Sequence, residues 1–195
     1  GKYFILTDKT PLSEHDHVIF YLDNGKQLRY NDVRKFGRME LIKKDNDYLQ
    51  FKKLGPEPFS KYFNLKYCKE YLKDKKKPIK EVLLDQSFVA GIGNIYADEI
   101  CFACKINPRR PAKLLSRRDC ENIISSCKKI MTKAIEHYGT TVFTYRFAPN
   151  HSGSFQNYLN VYSRDGQKCK VCGSTIKKIK LNGRGTCYCP KCQKN

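Results

Sequence analysis

Two cysteine pairs near the end of the chain, Cys169-x-x-Cys172 and Cys189-x-x-Cys192, constrain its fold more than any other feature. Thiolates in paired C-x-x-C steps can close a tetrahedron around Zn²⁺, and this spacing lies in the range of a four-cysteine structural site. The residues between the pairs read as a β-hairpin. Thr175 to Leu181 mixes Ile176, Ile179 and Leu181 with lysines, Asn182-Gly183 supplies the turn, and Gly185 to Cys189 returns the chain. Arg184 then sits at the tip of a metal-stapled ribbon. A disulfide framework is the competing reading, but nothing in the sequence looks secreted.

What a basic tip touches is indicated by charge. Lys and Arg number 38 against 19 Asp and Glu, a formal +19. Four thiolates around one Zn²⁺ would leave about +17. Such a surface points to a polyanion, with nucleic acid the default. A membrane surface is the rival partner, yet the sequence has no long apolar run and no strongly amphipathic basic anchor.

Ten cysteines exceed what one zinc site uses. Cys68, Cys101, Cys104, Cys120 and Cys127 fall on or beside apolar helical faces and read as reduced core residues, the C-x-x-C at Cys101 included. Cys187 would face the same side as Cys189 in a strand, close enough to compete for metal.

From the start of the chain, an opening strand at Gly1 precedes His17 to Leu22 and Lys26 to Asn31. These two are joined by Asp23-Asn24-Gly25, a hairpin signal, and Gly37 to Ile42 reads as the next strand. Leu54-Gly-Pro-Glu-Pro58 breaks the pattern and the signals turn helical. Ser60 is a candidate cap for a helix running toward Lys73, stopped by Pro78, and Lys73 with Lys75 to Lys77 forms a basic corner. Ile79 to Ser87 is a short helical stretch. After it comes Val89-Ala-Gly-Ile-Gly-Asn94, whose glycines permit a tight reversal, with Asn94 as N-cap of a helix from Ile95 to Lys105. Free N–H groups at such a helix start can hold a phosphate. The following Lys105, Arg109, Arg110, Lys113, Arg117 and Arg118 make that face a plausible backbone-binding surface. Ser116 starts the longest helix, whose stripe of Ile123, Ile124, Cys127, Ile130, Met131, Ala134 and Ile135 is core. Gly139 ends it, and Thr140 to Phe155 is a polar loop of functional length.

With these elements placed, a resemblance becomes specific. Asp85-Gln-Ser-Phe-Val-Ala-Gly-Ile-Gly-Asn-Ile-Tyr-Ala-Asp-Glu99 is similar to the helix-two-turn-helix of the bacterial formamidopyrimidine-DNA glycosylase and endonuclease VIII family. So are His15-Asp-His-Val18, Asp32-Val-Arg-Lys-Phe-Gly37, Leu54-Gly-Pro-Glu-Pro58 and Arg184-Gly-Thr-Cys-Tyr-Cys-Pro-Lys-Cys-Gln193, in the family's order, and the formamidopyrimidine branch is the nearer.

The resemblance implies an α+β chain in three parts. These are the closing strands of an incomplete N-terminal antiparallel β-sandwich (1–54), a helix-two-turn-helix DNA-binding domain (55–160) and a four-cysteine zinc finger (161–195). It implies a monomer in the bacterial cytoplasm, associated with the nucleoid, with one structural Zn²⁺ on Cys169, Cys172, Cys189 and Cys192. The implied partner is double-stranded DNA containing oxidised bases or abasic sites. Family chemistry begins with an N-terminal proline amine that attacks the sugar C1′, assisted by a glutamate and a lysine, none of which has a counterpart here. The resemblance therefore implies a chain that binds damaged DNA and needs a missing N-terminal catalytic domain for excision of 8-oxoguanine and formamidopyrimidines. The alternatives are a non-catalytic DNA-binding module and one half of a split glycosylase. Residue by residue, His15, Arg34 and Lys75 match DNA-contacting positions, with Lys76 the alternative to Lys75. Arg34 and Phe36 enter the duplex when the damaged nucleotide is flipped out. Asn94 and Lys80 bind flanking phosphates, and Arg184 grips phosphate as the proton donor of δ-elimination. Cys187 departs from the histidine the family pattern carries there, and Thr140 to Phe155 corresponds to the lesion-capping loop.

Overall fold

The computed structural model describes residues 1–41, 53–140 and 153–194, which fall into two compact units. The first holds residues 1–41. The second holds the rest, with the zinc-ribbon segment in the same unit as the helices.

In the first unit β1 (Lys2–Thr7), β2 (Asp16–Tyr21) and β3 (Lys26–Asn31) form an antiparallel sheet of order β1-β3-β2. The Asp23-Asn24-Gly25 hairpin forms between β2 and β3 as the turn residues dictate, with Gly25 at φ 72°. Residues 37–41 are not a strand, contrary to the sequence pattern, because Gly37 is drawn instead into a side-chain-capped loop; Ile42 lies outside the described residues. A bulge at His17 shifts the β2 register. Cross-strand partners share a face, so Ile5, Leu28 and Phe20 line one side. That side has no covering layer among the described residues, and Ile5 is 63% exposed. The opposite column is buried yet polar: Gln27, Arg29 and Asn31. Arg29 tolerates this because its guanidinium donates to Thr10 O at 2.7 Å, Pro11 O at 2.9 Å and Gln27 Oε1 at 2.8 Å, and pairs with Asp16 at 3.5 Å.

In the second unit the order is α1 (Leu65–Leu72), α2 (Ile79–Leu84), α3 (Asn94–Ala103), α4 (Arg117–Glu136), then β4 (Lys177–Leu181) and β5 (Arg184–Tyr188). Helix α1 starts at Asn64, whose side chain accepts from Tyr67 N, and not at Ser60. Ser60 instead closes a turn that folds Phe63 into the core against Phe88 at 5.8 Å. α4 starts at Ser116, as the sequence indicates, in a capping box completed by Asp119, worth about 1 kcal/mol. Its stripe residues Ile123 and Cys127 pack with Phe63, Leu83, Phe88, Val89 and Ile100 in one core. Cys68, Cys101, Cys104 and Cys120 belong to that core as well, and burial pushes their thiols up, that of Cys104 to about 11. They stay protonated and behave as small apolar groups. Residues 141–152 of the long polar loop lie outside the described residues.

Candidate nucleic-acid interface

The turn between α2 and α3 is built by side chains reaching back to the main chain. Asp85 accepts from Ser87 N at 3.0 Å and Ser87 Oγ at 2.7 Å. Gln86 spans the glycines, donating to Ile92 O at 3.0 Å and accepting from Gly91 N at 2.8 Å, with Gly91 at φ 85°. Phe88, Val89 and Ile92, all fully buried, anchor this turn to the core. The N-cap of α3 is Gly93, not Asn94 as the sequence suggests, and no side chain caps the helix. The Asn94 amide is directed instead to Gly185 O in β5, at 3.2 Å. An uncapped first turn leaves N–H groups for an anion to fill.

The ribbon comes together as its spacing requires. β4 and β5 pair from Lys177↔Tyr188 to Leu181↔Arg184, with Asn182 at φ 44° and Gly183 at φ 75° forming the turn. The four cysteine Sγ atoms lie within 4.8 Å of one another, with Cys169 to Cys192 at 3.9 Å and Cys172 to Cys189 at 3.4 Å. A tetrahedral ion with metal–sulfur bonds of about 2.3 Å needs sulfur–sulfur edges of about 3.8 Å, so these residues fit Zn²⁺. Backbone N–H groups of Val171 and Cys192 point at the sulfurs of Cys169 and Cys189. Gln193, almost fully buried, accepts from Cys189 N and donates to Ile106 O, fastening the knuckle to the chain after α3. Cys187 stands outside the four-thiol group and does not compete. Its N–H donates to Asp98 Oδ2 at 2.9 Å and its thiol faces Asp165.

Arg184 is exposed at the hairpin tip, and its guanidinium has no hydrogen bond or ion pair among the described residues. Beside it a cleft of about 350 Å³ runs between α2 and the hairpin, lined in part by Lys77, Glu81, Asn182 and Arg184. The structure corrects Lys80, which the resemblance assigns to a phosphate. Its side chain is 1% exposed, and three oxygens surround its ammonium: Asp98 Oδ1 at 2.7 Å, Thr186 Oγ1 at 2.8 Å and Gly185 O at 3.0 Å. An ammonium has three protons, so none is left for DNA. Burial pushes the Asp98 carboxyl up, to about 6, against the pull of Lys80 and the Cys187 N–H. Removing either partner would strand a buried charge, at a cost of about 3–5 kcal/mol. Lys75 is half-buried with its ammonium 4.5 Å from the Tyr71 ring centre, while Lys76 and Lys77 are exposed.

In the first unit, Arg34 and Phe36 are exposed side by side, the guanidinium 5.2 Å from a ring that is itself 77% exposed. The loop carrying them is organised by Asp32, a residue that sequence reasoning missed. Its carboxylate accepts from Gly37 N at 2.7 Å, Tyr30 OH at 3.1 Å and Arg34 N at 3.3 Å, and the Gly37 N–H above all holds its pKa down at about 2. Asp32 N also donates to His15 O at 3.0 Å, so the structure brings His15 to the base of the same loop. In the second unit Lys80, Asn94 and Arg184 come together around Gly185, and Lys75 does not join them. Also missed were Asp98 and Glu99, adjacent acids within the otherwise apolar stretch from Ile95 to Ala103. Acids in a helix buried on all sides must find partners inside, which was the available signal.

An exposed arginine on a zinc-stapled hairpin, set against a glycine turn and an uncapped helix start, defines a helix-two-turn-helix DNA-binding protein with a zinc ribbon. Residues 54–146 match the family model described as "Formamidopyrimidine-DNA glycosylase H2TH domain", and residues 166–195 match "Zinc finger found in FPG and IleRS". Residues 1–39 match "Formamidopyrimidine-DNA glycosylase N-terminal domain". The formamidopyrimidine-DNA glycosylase of Listeria monocytogenes is 45% identical over all of this chain and 72% of its own length, and that of Streptococcus pneumoniae is 44% identical with the same coverage. Among solved structures, the Lactococcus lactis protein in complex with abasic-site DNA superposes at TM-score 0.92 with 42% identity, over all of this chain and 72% of that one. A variant of the same protein bound to Fapy-dG DNA gives the same values. The chain belongs to the formamidopyrimidine-DNA glycosylase family, a group of DNA-repair glycosylases. No helix among the described residues is long and apolar enough to cross a membrane.

Proposed function

We propose that this chain is the damaged-DNA-gripping portion of a bifunctional DNA glycosylase and AP lyase acting on oxidised purines in base-excision repair. The observation that carries the reading is the convergence of Arg184, the Asn94 amide and the uncapped start of α3 at one edge of the ribbon. An amide nitrogen has two protons. Asn94 gives one to Gly185 O and keeps the other for a phosphate beside the α3 N–H groups. Arg184, with five donors and no internal partner among the described residues, would grip the phosphate that departs in δ-elimination and serve as its proton donor. Arg34 and Phe36 would fill the gap left by a flipped nucleotide, with His15 on the backbone nearby. Zn²⁺, held by Cys169, Cys172, Cys189 and Cys192, would fix the ribbon and take no part in the reaction.

By the same reading the 195 residues alone do not excise a base, because base removal and strand cleavage both pass through an iminium on a positioned proline amine. The family relatives are bacterial proteins, and the proposal places this chain on the nucleoid as a monomer.

Two measurements on the purified chain test the proposal. Binding to a duplex with a tetrahydrofuran abasic-site analogue should be tighter than to intact duplex and should weaken steeply with salt. Borohydride trapping on an 8-oxoguanine duplex should give no adduct. A covalent adduct would overturn the claim of incompetence, and indifference to DNA at modest salt would overturn the whole reading.

A further inference from the structure

The Lys80–Asp98 pair lies outside every reaction step assigned above, yet it is among the most deeply buried charge in the molecule, with side chains 1% and 0% exposed. A buried ion pair offers little net stability over apolar residues of the same volume, so its use has to be sought in what it holds in place. What it holds is β5. Lys80, on α2, donates to Gly185 O and Thr186 Oγ1; Asp98, on α3, takes the Cys187 N–H. Three successive residues after Arg184 are therefore gripped by one charge pair from two different helices. Asn94 adds a second donor to the Gly185 carbonyl, and Glu81 accepts from the turn residue Asn182 at 3.2 Å.

We propose that Lys80 and Asp98 are positioning residues that set Arg184 in register with the start of α3, so that the guanidinium and the Asn94 amide address neighbouring phosphates of one strand. Without the pair, the Gly185 carbonyl keeps only the Asn94 amide on its helix side, and Thr186 Oγ1 and the Cys187 N–H lose their partners from α2 and α3. Strand-to-helix hydrogen bonds at consecutive residues fix both the height and the roll of β5, which zinc alone, bound at the far end of the hairpin, does not. The inference rests on Arg184 gripping phosphate, and the experiment separates the two claims.

The test is a double-mutant cycle on the zinc-loaded chain, reading affinity and salt slope on the tetrahydrofuran duplex. Lys80→Met/Asp98→Leu removes both charges together, so that neither is stranded. In the Arg184 background it should weaken binding by roughly tenfold and flatten the salt slope. In the Arg184→Ala background it should change affinity by less than about twofold, since the arginine it aims is gone. Equal losses in both backgrounds would show a general structural role and overturn the inference alone. No loss in the Arg184 background would do the same. An Arg184→Ala chain that binds like the parent would overturn the phosphate-grip reading and this inference with it. If the double variant fails to retain zinc, Lys80→Met/Asp98→Asn, which also strands no charge and keeps an acceptor for the Cys187 N–H while removing the donor to Gly185 O and Thr186 Oγ1, takes its place in the cycle with the same outcomes.

Discussion

Gly37 donates its backbone N–H to Asp32 Oδ2 at 2.7 Å, and this bond closes the loop on which Arg34 and Phe36 stand exposed. A side chain at Gly37 would overlap the Tyr30 hydroxyl, so the glycine is needed for close approach as well. Because the folded state holds the Asp32 pKa down at about 2, below the ordinary 3.8, the carboxylate supports the loop fully above pH 3.8. That support is lost as pH falls from 3.8 through about 2. Asp32→Asn should mimic the loss at neutral pH, speeding Gly37 amide exchange and weakening DNA binding toward the level of Phe36→Ala. Unchanged exchange at Gly37 would show that the bond does not order the loop.

Arg184→Ala should weaken binding to the abasic-analogue duplex and reduce the salt slope by about 0.9, the value for one lost phosphate contact on duplex DNA. Titrations at four or more salt concentrations measure it. A parallel downward shift with no change of slope would mean that Arg184 touches something other than phosphate.

Chelation of the metal should unfold the ribbon, since binding free energy at structural zinc sites, about 10–16 kcal/mol, is folding free energy. Far-ultraviolet circular dichroism should then lose the hairpin while α1 to α4 persist, and DNA affinity should fall and return with added Zn²⁺. Parental affinity in protein verified free of metal would contradict the placement of Arg184 on the ribbon as a DNA contact.

The parts of this molecule legible in its sequence are those set by near neighbours. Cysteine spacing and Asn182-Gly183 fix the ribbon, and Ser116 with Asp119 marks the start of α4, because each involves groups a few residues apart. The start of α1 is ambiguous in the sequence because both Ser60 and Asn64 can cap. The choice is made by Phe63, which buries against Phe88 only if the helix waits. The burial of Lys80 is hidden in the sequence for a related reason: its partners Gly185 and Thr186 lie far along the chain, and only the docking of β5 on α2 and α3 brings them together. Asn94 looked like a cap in isolation, and the same docking draws its amide away.

Glu99 offers a test of how the ribbon is joined to the helices. Its carboxylate, 3% exposed, accepts from the backbone N–H groups of Asn160, Val161 and Tyr162 and from the Asn160 amide, at 2.8–3.0 Å. Three successive N–H groups converge on one carboxylate, so the chain entering the ribbon is held by a charge-assisted cluster. Glu99→Gln keeps the volume but turns one acceptor oxygen into a donor facing N–H groups, which strands at least one of them. The cost should be about 1.5–3 kcal/mol, read as a lower urea midpoint with an unchanged slope. Zinc content should stay at one per chain, because the four thiols lie beyond the clamp. A midpoint equal to that of the parent would mean that the segment from Asn160 to Tyr162 is held by packing of Val161 against Phe102 and Ile176 and not by the Glu99 carboxylate.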